Sequence, residues 1–218
     1  MPPPLAALLT PLGITLAAAA LERLEWLGSE LLRWNRTHNL TAITASSEIR
    51  EKHLVDSLTL LPLLGDARRL LDLGSGAGFP SLPLKIARPD LEVVAVDAVG
   101  KKVAFQRHVI RTLQLSGITA IHGRAEDLPR QVAVQGGFDV VTARALGSLP
   151  LLAALAGPCL APGGRLIAMK GAEGDAELTT AQADLSALGF ACTARYHLRL
   201  PVSGADRCLL VLEQHGRK

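Results

Sequence analysis

The stretch LLDLGSGAGFPSLPLKIARPD, Leu70 to Asp90, decides how the chain is read. Leu70, Leu71 and Leu73 form a short apolar run with the length and bounds of a buried strand. Gly74, Gly76 and Gly78 follow, and glycine permits both a tight turn and close approach of the backbone to a ligand. Pro80 then suits the first turn of a helix, where a missing N–H costs nothing. A strand, a glycine turn and a helix in this order cradle a nucleotide-like group.

Working downstream, LEVVAVD reads as a second strand and ends on Asp97, nineteen residues after Gly78. An acid at the tip of the second strand can accept from both ribose hydroxyls of an adenosine. A dinucleotide motif would read GxGxxG, but here the last position is Phe79. Asp72 also precedes the turn, and its carboxylate would repel a pyrophosphate. The same charge favours the ammonium and sulfonium end of S-adenosylmethionine, so the residues point to that cofactor over NAD or FAD. GRAEDLP, residues 123 to 129, follows a third strand. Backbone amides of Ala125 and Glu126 can read an adenine edge there, although alone this segment is an ordinary loop.

The rest of the chain continues the alternation. LEVVAVD is followed by a helix from Lys101 to about Leu115, and ITAIHG, FDVVTARA and GRLIAMKG come next. ACTARYHLRL and DRCLLVLEQ close the chain with only PVSGA between them, too short for a crossover helix, so they should pair antiparallel. The expectation is an α/β fold with a mostly parallel seven-stranded sheet and an antiparallel last strand. Upstream of Arg69 there is no strand signal. Thr15 reads as the cap of a helix to about Arg36, and Ser46 or Ser47 as the cap of another, from about 47 to 63. The expected division is a helical extension at 1–65 and a catalytic domain at 66–218.

Composition sets the outer bounds. The chain has 218 residues, 49% of them apolar but only 3% aromatic, so a large core must be built from Leu, Val, Ile and Ala. The net charge of +3 permits a polyanionic partner without requiring one. Between Val99 and Arg130, six cations face two acids, a local excess of +4 that suits either solvated helix faces or a nucleic-acid footprint. Cys159, Cys192 and Cys208 form no CxxC pair, which argues for a reducing compartment and against a zinc site. The histidines other than His53 show no metal spacing, and no metal is expected. The N-terminal apolar run lacks a basic flank before Arg23 and is broken by Pro11 and Gly13, so a cytoplasmic location is expected.

Taken together, DLGSGAGFP, VDAVGKKVAF, GRAED, FDVVTARAL and IAMKG resemble the ribosomal RNA small-subunit methyltransferase G family, also called glucose-inhibited division protein B. WNRTHNLTAIT (Trp34 to Thr44) and HLVDSL (His53 to Leu58) extend the resemblance into the helical part. It implies a class I, Rossmann-like methyltransferase with S-adenosylmethionine as donor. The implied acceptor is N7 of a guanosine in the 530 loop of 16S ribosomal RNA. The positions that match the family pattern for cofactor binding are Gly74, Phe79, Ala125, Glu126 and Arg144. Gly76 and Asp97 are added from the general geometry of the fold.

Guanine N7 carries an in-plane lone pair and no proton, so no general base and no catalytic residue in that sense is expected. Arg144 and Lys170 are the candidates for holding the RNA, each weighed against pairing with a local partner or ending a strand in solvent. His53 and Asp56 share a helix face and either shape the RNA entrance or pack the helix on the sheet, packing being favoured. Trp34 is read as a core anchor in preference to a base-stacking platform. A monomer is expected. The competing readings are a methyltransferase of a small molecule or protein, and a non-catalytic binder of the same cofactor.

Overall fold

All seven expected strands form, in one sheet of order β3-β2-β1-β4-β5-β7-β6. They are β1 (Arg69–Leu73), β2 (Glu92–Asp97), β3 (Ile118–His122), β4 (Phe138–Arg144), β5 (Leu160–Lys170), β6 (Phe190–Arg199) and β7 (Asp206–Gln214). Among the described residues β7 alone runs against the direction of the other strands, pairing antiparallel with β5 and β6. This computed structural model describes residues 3–130 and 136–215. The chain order reverses between β1 and β4. A ligand in such a sheet sits beyond the carboxyl ends of the strands at that reversal.

The helices are α1 (Leu5–Leu9), α2 (Ala18–His38), α3 (Ser46–Ile49), α4 (Asp56–Leu58), α5 (Leu61–Leu64), α6 (Ser81–Ala87), α7 (Gly100–Thr112), α8 (Leu149–Ala156) and α9 (Gly174–Ala187). Two expected boundaries differ. The helix capped in the sequence by Thr15 begins at Ala18, because Ala17 before it is still extended and makes no side-chain cap. The expected single helix at 47–63 is instead α3, a π-helical stretch at Arg50–Val55, α4, and a separate α5 with Pro62 in its first turn. Pro62 has no N–H to continue the preceding ladder.

The strands alternate between two cores. Leu70, Val93, Val140, Ile167 and Val211 face one way and pack with α1 to α7. Leu71, Val94, Val141, Leu166 and Leu212 face the other way and pack with α8 and α9. This is the period of two that a sheet covered on both faces requires. The helices before Arg69 therefore share a core with the sheet. Buried Glu51 adds a polar tie, accepting the amides of Val202 and Ser203 in the β6–β7 turn at 2.6 and 2.8 Å.

Candidate functional site

The glycine turn is assembled by its own backbone and by two side chains from β2 and α7. Ser75 N–H donates to Val96 O at 2.9 Å, and the amides of Gly78 and Phe79 both turn back to Ser75 O. Gly74 and Gly76 have φ of +65° and +59°, where side chains are strained. A Cβ on Gly74 would also lie 2.5 Å from the Leu146 side chain, whereas the same position on Gly76 faces open space. Asp97, 8% exposed, accepts from the amide of Gly76 with Oδ2 and from that of Val99 with Oδ1, both at 2.8 Å.

A cleft of about 360 Å³ opens at this point, walled by Gly74, Asp97, Ala125, Glu126 and the side chains of Leu146 and Leu151. Size does not single it out, since a groove of about 390 Å³ between α9 and β6 has no carboxylate and no glycine turn. Chemistry and position do. An acid, a turn with an open Cβ position and an apolar wall stand at the carboxyl ends of β1 and β2, which suits a nucleoside. Ala125 and Glu126 open a 3₁₀ turn, Ala125–Arg130, whose leading amides have no partner inside it.

Four of the expected cofactor residues, Gly74, Asp97, Ala125 and Glu126, thus line one cleft, and Gly76 is bonded to one of them. Phe79 and Arg144 do not line it. Phe79 is buried and stacks on His53, ring centroids 4.8 Å apart. Arg144 donates to Lys52 O at 2.9 Å, to Asp56 Oδ2 at 3.3 Å and to His53 Nδ1 at 3.1 Å. Asp56 also accepts from Arg207 at 2.8 Å. His53 and Asp56, read from sequence as packing residues, therefore hold Arg144 in place. Lys170 likewise has local partners: it donates to Gly147 O at 2.6 Å and Glu177 Oε1 at 2.9 Å. In this arrangement neither cation extends freely toward a phosphate.

The tautomer of His53 follows from its partners. Arg144 can only donate, so Nδ1 accepts and Nε2 carries the proton, which it gives to Thr41 Oγ1 at 3.0 Å. Asn35 in turn accepts from the amides of Leu40 and Thr41 at 2.6 and 2.9 Å. A continuous chain of hydrogen bonds thus runs from the WNRTHNLT segment through His53 to the end of β4.

Two titrations follow. Burial, reinforced by the charge of Arg144, pushes His53 down to about 3. Burial pushes Asp72 up to about 7, with Ser81 and Arg144 opposing and Asp97 reinforcing. Asp72 has no exposed surface, and its Oδ2 accepts the amide of Ser81 at 3.0 Å. The expectation of a plain carboxylate repelling phosphate is corrected accordingly: near neutral pH this acid is only partly ionised, because burial disfavours its charge.

Between pH 3.8 and 6.5 the unfolded chain binds more protons at residue 53 and fewer at residue 72 than the folded one. Stability then rises with pH through His53 and falls through Asp72, each by up to about 1.4 kcal/mol per pH unit, so the two largely cancel. Asp72→Asn is expected to uncover the His53 slope in urea unfolding between about pH 4.5 and 6.5. The same pH slope in wild type and variant would exclude this balance.

Sequence reading missed Gln106. It is fully buried on α7, and Nε2 donates to Ser75 Oγ at 2.8 Å and Gly76 O at 2.7 Å. The signal was present, since Gln106 falls in the apolar stripe of Val99, Val103 and Ile110. Gln106→Leu is expected to weaken cofactor binding by about 1–2 kcal/mol, roughly 5- to 30-fold, while leaving the fold intact. Equilibrium dialysis with labelled cofactor measures this.

Glu30, His108 and Trp34 form another missed contact. Glu30 is buried and takes hydrogen bonds from Trp34 at 3.1 Å and His108 at 2.7 Å, and it pairs with Arg33. Burial acts to raise the pKa of Glu30, but Arg33 and His108 outweigh it and hold the acid below its usual range. Trp34 meets Phe105 edge-on at 5.5 Å, in keeping with its reading as an anchor.

The family model for rRNA small subunit methyltransferase G matches residues 20–199. The chain belongs to this family. A ribosomal RNA small subunit methyltransferase G from Syntrophotalea carbinolica is 50% identical over 95% of both chains. One from Geobacter sp. strain M21 is 48% identical over 92% of both. Among solved structures, a SAM dependent methyltransferase from Aquifex aeolicus superposes with a TM-score of 0.55. It is 15% identical, covers 72% of this chain and 89% of its own, and so supports the fold alone. For this methyltransferase G family member, the family match runs from α2 through β6 and so takes in most of the helical part and six of the seven strands.

Proposed function

We propose that the chain transfers a methyl group from S-adenosylmethionine to N7 of a guanosine in the 530 loop of 16S ribosomal RNA. The observation that carries this is the pairing of Asp97 with the glycine turn, Gly76 N–H to Oδ2 at 2.8 Å, in a chain of this family. When bound, S-adenosylmethionine supplies an electrophilic methyl group on sulfur. Asp97 holds the ribose, Gly74 and Gly76 let the backbone close on the ligand, and Ala125 and Glu126 present amides to the base. Leu146 and Leu151 exclude water from one wall.

The acceptor nitrogen needs no proton removed, so the protein's task is alignment and not acid–base work. The RNA is met by the basic surface beside the cleft. Lys102 and Arg124 stand at its rim, and Lys101, next to Lys102 in the first turn of α7, is exposed. The Arg130 side chain lies outside the described residues. Arg144 serves as a fixed element between the helical part (1–65) and the catalytic part (66–218), and Lys170 braces the loop after β4.

No helix among the described residues is long and apolar enough to cross a membrane. The reading is completed by a cytoplasmic location and a monomeric enzyme. The test is incubation with methyl-labelled S-adenosylmethionine and unmodified small subunits, naked 16S RNA or a total protein extract. Label at guanine N7 of the RNA is expected. Label only in protein or small molecules, or at another RNA atom, would overturn the reading.

A further inference from the structure

We infer a second ligand site, for a zinc-class divalent ion, formed by Asp175, His197 and Cys208. The three residues are far apart in sequence and come from three elements. His197 on β6 stands directly opposite Cys208 on β7 in the antiparallel register. Asp175 is the second residue of α9, whose start lies over this strand pair. Gly174 allows that approach, since a Cβ there would lie 2.7 Å from Cys208 Cβ and 2.9 Å from its Sγ.

The donor atoms converge on one point. His197 Nε2 is 2.6 Å from Asp175 Oδ2 and 3.6 Å from Cys208 Sγ, and all three donors lie within 4.8 Å of one another. Both partners address the same ring nitrogen. That excludes a nucleophilic relay, in which the acid and the thiol would occupy opposite nitrogens of the imidazole. It is instead the layout of ligands around a common centre. Bond lengths of about 2.0–2.3 Å around tetrahedral zinc put neighbouring donors roughly 3.3–3.8 Å apart. The histidine–thiol distance already meets this, and the carboxylate has to shift from 2.6 Å to about 3.3 Å from the imidazole and to close on the thiol, from which it stands within 4.8 Å.

The donor set selects the ion class. One thiolate, one imidazole and one carboxylate suit zinc or cobalt, whereas magnesium and calcium take oxygen. Their two negative charges balance a dication. Arg195 lies 3.6 Å from Asp175 Oδ1 and can orient the carboxylate while leaving Oδ2 to the metal. His197 and Asp175 are about half exposed, so a fourth position is open to water. The site lies beside the carboxyl end of β5, where Cys208 pairs with Lys170, on β7 and β6, three and four places from β1 and its glycine turn. A bound ion would pin the start of α9 to the β6–β7 pair.

The test is titration of the full chain with cobalt, then zinc, in the presence of a non-thiol reductant. A single equivalent of cobalt is expected to give tetrahedral ligand-field bands and a thiolate-to-cobalt charge-transfer band, both removed by zinc. Zinc, and not magnesium, should raise Tm. Cys208→Ser should lose the charge-transfer band and Cys192→Ser should keep it. His197→Ala, at a surface position that leaves the core untouched, should weaken binding about tenfold or more. Absence of the band in the wild type, its survival in Cys208→Ser, or unchanged binding by His197→Ala would each overturn the site.

Discussion

Asp97→Ala is expected to weaken S-adenosylmethionine binding about a hundredfold. Two effects add. The carboxylate loses its hydrogen bonding to the ribose, together about 1.5–2 kcal/mol for a charged partner in a cleft open to water. The amides of Gly76 and Val99, both at 2.8 Å from Asp97, also lose their acceptor, so the turn is no longer held against β2. A loss of roughly 2.8 kcal/mol corresponds to the hundredfold change. Because the cleft is open to water on one side, the fold should lose less, and a Tm drop of roughly 2–6 °C is expected. Asp97→Asn keeps an acceptor oxygen and should fall between wild type and the alanine variant. Calorimetric titration with cofactor decides it: an affinity for Asp97→Ala equal to that of wild type would refute the ribose role.

Asp56→Ala should produce the largest loss of stability, about 3 kcal/mol, with Tm lower by roughly 6–12 °C. Asp56 is buried and accepts from Arg144 at 3.3 Å and Arg207 at 2.8 Å. Removing it leaves two guanidinium groups facing each other without their shared counter-charge. Each Arg side chain is about one-fifth exposed, so water relieves part of the cost, and the full penalty of a buried pair is not reached. Methyl transfer to RNA should fall as well at temperatures where the variant stays folded, because Arg144 loses its fixed position. A double-mutant cycle with Arg144→Ala should show coupling of about 1–3 kcal/mol. Additive effects of the two substitutions would show that the pair does not act as a unit.

The strands and their order of appearance were legible because each has the period or length that a covered sheet imposes. Leu70 against Leu71 and Val140 against Val141 separate into the two cores as alternation requires. Asp97 and the glycines were also legible, since a tight turn and an acid at fixed spacing are local facts. The helix at 47–63 was not, because a π-helical stretch and the break before Pro62 do not interrupt the apolar pattern. Asp72 was misread as a simple charge. Its ionisation depends on burial under α6 and on Arg144, more than seventy positions away in sequence.

By itself, then, the amino-acid sequence determined the sheet, the glycine turn with its acid and, through WNRTHNLT and HLVDSL, the family. Those are properties of neighbouring residues and of periodicity. Only the tertiary structure decided which charges are free. It placed Arg144 on His53 and Asp56, Lys170 on Glu177, Gln106 under the glycine turn, and Asp175, His197 and Cys208 around one point. Each of these depends on the distance between segments remote in the chain, and pairing and burial energies follow that distance, not sequence separation.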